Sequence, residues 1–142
     1  MKKSKLISLA LLGTIVAGSA AAGVRETRRV NVDITARRAD GSLGSTRNST
    51  HASEYIQCTL SGDAMTSSLT CLAIDQRGVA ATCYLTNPPA SFINALNTLQ
   101  GDSFLAFNWE YPSYRCTGIV VSNGSRWEPK VLAPTTSSAA LF

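Results

Sequence analysis

Apolar and polar side chains alternate from Val30 to Ala36, with Val30, Val32, Ile34 and Ala36 on one side and Asn31, Asp33, Thr35 and Arg37 on the other. That period of two predicts a half-buried β-strand within residues 23–39. Residues 40–53 hold Gly, Ser, Thr and Asn with few apolar side chains, which predicts a polar loop. Within it, Asp40-Gly41 is a turn pair suited to folding the first strand back as a hairpin. Three runs rich in β-branched, aromatic and cysteine residues follow at Glu54–Leu60, Ser68–Ile74 and Val79–Thr86. Turn chemistry separates them at Ser61-Gly62-Asp63 and at Asp75-Gln76-Arg77-Gly78, where Gly78 suits a positive-φ position. The period then lengthens. Asn87 is placed to cap a helix with Pro88 at its first position, and Phe92, Ala95, Leu96 and Leu99 recur at helical spacing until Gly101. Two further strands, Ser103–Glu110 and Tyr114–Ser122, meet at Tyr111-Pro112-Ser113, where Pro112 has no N–H for a ladder. Residues 131–142 carry no charge and are expected to form a flexible tail.

The predicted order is strand, loop, three strands, helix, two strands. Sequential strands joined by short turns predict a mainly β fold, an antiparallel meander forming a small sandwich or barrel with one short helix. Residues 54–130 form its compact part. Cys58, Cys71, Cys83 and Cys116 each fall inside a predicted strand. A three-residue loop at Gln76-Arg77-Gly78 pairs Asp75 with Val79 and sets Cys71 opposite Cys83, which favours a Cys71–Cys83 bridge and leaves Cys58 for Cys116. Three connectivities stay open.

The first 22 residues set the compartment. Lys2, Lys3 and Lys5 precede an uncharged apolar run from Leu6 to Ala17, and small residues follow to Ala22. This is the layout of a bacterial-type secretory signal peptide, with Ala20-Ala21-Ala22 as the cleavage motif. The apolar run is shorter than the roughly 20 residues that span a bilayer. The expectation is a secreted or periplasmic protein with no membrane span after cleavage. An even count of cysteines in an exported chain then predicts two disulfides, and the absence of a Cys-x-x-Cys knuckle argues against zinc.

Cleavage also changes how the charge reads. The whole chain is +4, with thirteen basic and nine acidic residues. Losing Lys2, Lys3 and Lys5 leaves ten basic against nine acidic, close to neutral, so no nucleic-acid partner is expected. The remaining excess is local, at Arg25, Arg28, Arg29, Arg37 and Arg38, and reads as a solvated arm.

The stretches Glu54-Tyr55-Ile56-Gln57-Cys58, Cys71-Leu72-Ala73-Ile74-Asp75, Gly78 through Cys83, Asp102-Ser103-Phe104 to Trp109, Cys116-Thr117 and Pro129-Lys130 form a pattern over Glu54–Lys130. It resembles an uncharacterised group of small exported bacterial proteins with four cysteines. The resemblance implies a fold held by cysteines, turns and core aromatics, and it implies no activity.

Catalytic material is sparse. His51 is the single histidine and lies in a polar loop beside Ser49, Thr50 and Ser53, where no rigid base is expected. No calcium loop or phosphate cradle is present, so no metal or cofactor is expected. Asn48-Ser49-Thr50 and Asn123-Gly124-Ser125 match glycosylation acceptors, which a bacterial-type leader makes a chance match. Binding offers more. Tyr111, Tyr114 and Arg115 sit at a hairpin turn, and Trp127 lies further on. Trp109 shares strand parity with Leu105 and Phe107 and is expected in the core, which leaves Tyr111 as the exposed ring. The expected function is a non-enzymatic β domain that binds a protein or glycan partner at the cell envelope or outside the cell. Two alternatives stand beside it. The strand of Val30, Val32, Ile34 and Ala36 can pair with a neighbouring subunit in a surface assembly, and nine acids permit a carboxylate pair for a secreted hydrolase, or the domain inhibits an enzyme.

Overall fold

The structure, a computed structural model, describes residues 25–129. The predicted signal peptide and tail lie outside the described residues. Nine elements occur in order: β1 (Asn31–Asp33), β2 (Arg38–Ser42), α1 (Leu43–Arg47), β3 (Tyr55–Gly62), β4 (Ser67–Ile74), β5 (Ala80–Thr86), α2 (Ala90–Asn97), β6 (Phe104–Trp109) and β7 (Cys116–Ser122). They form two antiparallel sheets, β1-β2-β6-β7 and β3-β4-β5, which do not close into a barrel. Only the second is a simple meander, because β2 pairs with β6 across a long stretch of sequence. No helix among the described residues is long and apolar enough to cross a membrane.

Both sheets contribute to one core. Val32, Ala39, Leu105 and Phe107 from the first sheet cluster with Ile56, Leu69, Cys71, Ala73 and Cys83 from the second. β4 alternates between the core and the outside, with Leu69, Cys71 and Ala73 buried and Thr70 exposed. Glu54 fastens one sheet to the other. Its buried carboxylate accepts from the Val30 N–H at 2.7 Å, from Gln76 Nε2 at 3.2 Å and from Ser49 Oγ. Arg29 stands 3.6 Å away. A buried charge is tolerable only with such partners.

Several local expectations need correction. The first strand does not run to Ala36, because β1 ends at Asp33 and residues 34–37 form the turn. Asp33 Oδ1 accepts from the Ala36 N–H at 2.8 Å, closing the turn locally. Asp40 and Gly41 therefore lie inside β2, opposite Ala106 and Leu105, and do not turn the chain. A Cβ on Gly41 would come within 3.1 Å of the Val30 Cα, so a side chain there requires the Val30 backbone to shift by a few tenths of an ångström. The expected loop 40–53 holds the end of β2 and a second helix. Ser42 caps α1 by accepting from the Ser45 N–H, and Thr46 Oγ1 donates to the Ser42 carbonyl at 2.7 Å. Those hydroxyls read as loop chemistry, but they are buried and satisfied within the turn. Asn87 does not cap α2 either. Its N–H and Oδ1 bond Ser67, extending the β4–β5 ladder, and Pro89 takes the N-cap position.

The disulfides are Cys58–Cys71 and Cys83–Cys116, not the favoured pairing. The register was as expected, with Cys71 opposite Cys83, but Cys71 in the central strand also faces Cys58. Antiparallel neighbours alternate between narrow pairs and wide, hydrogen-bonded pairs, so a central residue is near one neighbour and farther from the other. Cys58 and Cys71 have Cα atoms 4.0 Å apart, the narrow kind. The second bridge joins β5 to the start of β7 and ties the two sheets together. The sulfurs of Cys71, Cys83 and Cys116 lie within 4.8 Å of one another, so the two bridges pack side by side.

Candidate functional site

Two turns at one end of the four-stranded sheet stand beside β5. The first, residues 34–37, follows β1; the second, residues 110–115, joins β6 to β7. Hydrogen bonds fix their relation: the Trp109 N–H donates to the Arg37 carbonyl at 3.2 Å, and Asn108 Nδ2 donates to the same oxygen at 3.4 Å. The second turn is closed by the Tyr114 N–H to the Glu110 carbonyl at 2.8 Å and by Ser113 Oγ to Glu110 Oε1 at 2.9 Å. Arg37 and Tyr114 both adopt φ of 53°, a left-handed conformation that non-glycine residues hold only where their surroundings enforce it.

Between these turns and β5 lies a groove of about 630 Å³. Its apolar lining includes Ile34, Leu72, Ala81, Trp109, Tyr111 and Tyr114. Thr82, opposite Leu72 in the sheet, and Arg37 add polar groups. Trp109 is 6% exposed and tilts against Phe107, whereas Tyr111 is 62% and Tyr114 41% exposed. The two tyrosine rings meet edge to face at 5.7 Å. A second hollow, lined by residues 31–35, Arg77 and Val79, adjoins the groove and shares Ile34 and Thr35 with it.

Four described arginines, Arg25, Arg37, Arg47 and Arg115, stand outside the ion pairs, and of these Arg37 lines the groove. Arg28 and Arg38 pair with Asp40, Arg29 with Glu54, Arg77 with Asp75 and Arg126 with Glu26. Among the described residues, no carboxylate pairs with Arg37. Asp75 holds Arg77, which lines the second hollow. Burial raises its pKa, but hydrogen bonds from Arg77 and from the Val79 and Arg77 N–H groups outweigh that and hold it below the usual carboxylate range. Arg77 Nη2 also donates to the Val32 carbonyl at 3.3 Å, joining the β4–β5 turn to β1. No carboxylate or histidine lines the groove itself among the described residues; Thr35, Thr82 and Arg37 join its apolar lining, and the adjoining hollow adds Asn31 and Asp33.

The structure brings Tyr111 and Tyr114 together at the groove. Arg115 is exposed beside them but does not line it; its backbone forms a bridge with Tyr84. Trp127 lies apart, stacked on Phe104 at 4.9 Å with Arg126 over its ring. Val30 and Val32, read as part of an assembly strand, sit in the chain's own core at 5% and 2% exposure. Ile34 lines the groove and Ala36 is exposed in the turn. His51 is exposed, with its N–H donating to Ser49 Oγ. Sequence reasoning missed Arg37, Leu72, Ala81 and Thr82 as site residues. Arg37 sits in a turn that the strand pattern concealed, and the other three read as ordinary strand positions. Comparison with protein-family models, curated proteins and solved structures finds no match.

Proposed function

We propose that this is an exported, non-enzymatic binding domain that takes apolar side chains of a protein partner into the groove beside β5, at the cell envelope or outside the cell. One observation carries the reading: Ile34, Tyr111 and Tyr114, exposed large apolar residues from two separate turns, converge on one concave surface floored by Trp109. Concave, mainly apolar sites with a few polar groups are where ligands bind, and buried aromatic anchors dominate protein interfaces. A peptide fits this lining better than a glycan. The tyrosines meet edge to face instead of presenting one flat platform. Two disulfides support an oxidising compartment.

Saturation-transfer NMR on the full-length oxidised protein tests this. N-acetyl amides of leucine, phenylalanine and tryptophan should receive saturation, and Tyr111→Ala should remove most of the signal. Saturation of oligosaccharides alone would replace the protein-partner reading with a glycan one. Signals unchanged by Tyr111→Ala would remove the groove from the function.

A further inference from the structure

We infer that the partner binds as an added β-strand along the open edge of β5, as an extended segment carrying a large apolar side chain close to an acidic one. This rests on the groove reading and specifies how the groove is used. β5 is an edge strand of its sheet. The Tyr84 N–H points away from β4, because it donates to the Tyr114 carbonyl at 3.0 Å. Backbone groups alternate between the two sides of a strand, so Thr82 and Ala80 present their N–H and C=O groups along the same outward row. Among the described residues, no strand pairs with them there. The outward row is thus occupied at Tyr84 and open over the stretch that borders the groove.

The length and chemistry of the opening define the occupant. From Val79 to Thr82 an added strand covers about 13 Å, at roughly 3.3 Å per residue. Side chains of such a strand point alternately to its two sides. One set enters the apolar space above Leu72 and Trp109, while main-chain hydrogen bonds hold the segment to β5. Arg37 supplies the complement in charge. Arg37 is exposed in its turn and lines the groove, and like Arg25, Arg47 and Arg115 it has no carboxylate partner among the described residues. An acidic side chain beside the apolar anchor gives it a charged hydrogen-bond partner.

Random heptapeptides displayed on phage, panned on the full-length oxidised protein, test the inference. Enriched peptides should carry a large apolar residue within two positions of an acidic one. N-methylation of one backbone amide should weaken a synthetic copy about tenfold, the effect of losing one hydrogen bond. Arg37→Gln should weaken it several-fold, with no effect on peptides whose acid is replaced by its amide. In the labelled protein, the Ala80 and Thr82 amide resonances should shift. Peptides that tolerate N-methylation at every position in turn would overturn strand addition and leave groove docking intact. Enriched peptides that bind Ile34→Asp and Tyr111→Ala unchanged would overturn the groove reading itself. Failure to enrich any peptide above an unrelated protein would overturn strand addition, while the amino-acid amides still report separately on the groove.

Discussion

Trp109 and Tyr111 are two residues apart, yet one is 6% and the other 62% exposed. The strand parity that placed Trp109 with Leu105 and Phe107 holds because β6 is paired on both sides and packed on the second sheet. Trp109→Ala is therefore expected to lower unfolding free energy by roughly 3–5 kcal/mol in urea titrations, as large-to-small core changes do. Tyr111→Ala should leave stability within about 0.5 kcal/mol, as exposed substitutions usually do, and act on binding alone. Asp75 gives a pH test. Its folded pKa lies below its unfolded value, so its contribution is complete above the usual Asp range and is lost as pH falls through the lower folded value. Stability measured from neutral pH down to acid should fall more steeply for the wild type than for Asp75→Asn. The variant should be less stable at neutral pH, because the Arg77 and Val79 N–H groups lose a charged acceptor. The ion pair with exposed Arg77 adds little to that difference.

At the scale of elements, what was legible followed from residue-type runs, turn residues and the helical period. Runs rich in β-branched, aromatic and cysteine residues bounded by turn chemistry found β3, β4 and β5 to within a few residues, β6 and β7 were found around the Tyr111-Pro112-Ser113 turn, and the 3.6-residue period found α2 through Phe92, Leu96 and Leu99. The segment after Asp33 was not legible, for a physical reason. Ser42, Ser45 and Thr46 are buried and spend their hydroxyls on caps and backbone groups, so a folded strand and helix carry a loop's composition. Turn aromatics marked half of the groove, whereas its other half comes from residues that only sheet packing brings near. Two glycines separate contact from conformation. A Cβ on Gly44 would lie 1.8 Å from the Glu128 carbonyl oxygen, so Gly44→Ala must push residues 128–129 away from α1. Gly78 has φ of 80° and open space around it, so Gly78→Ala meets only the left-handed penalty of about 1 kcal/mol. Thermal unfolding should rank Gly44→Ala as the more damaging change; equal losses would mean the 128–129 segment does not pack on α1.

For the whole molecule, the disulfides decide how the sheets hold together. Cys58–Cys71 staples neighbouring strands over a separation of 13 residues, while Cys83–Cys116 closes 33 residues and crosses between sheets. Loop-closure entropy alone makes the second worth roughly 0.8 kcal/mol more, from 1.5RT times the logarithm of the ratio of loop lengths. Replacing Cys83 and Cys116 by serine should therefore lower the unfolding midpoint more than replacing Cys58 and Cys71. Peptide mapping of the non-reduced protein should find the 58–71 and 83–116 pairs. The same packing leaves the β5 edge open beside two turns that each hold one residue in left-handed backbone, and that edge is where binding is proposed. The most direct measurement is a titration of isotope-labelled full-length protein with an acidic, phenylalanine-containing peptide, followed by amide and aromatic resonances. Shifts should be confined to residues 34–37, 79–82 and 109–114. Shifts centred on Phe104 and Trp127, or none at saturating peptide, would contradict a binding site beside β5.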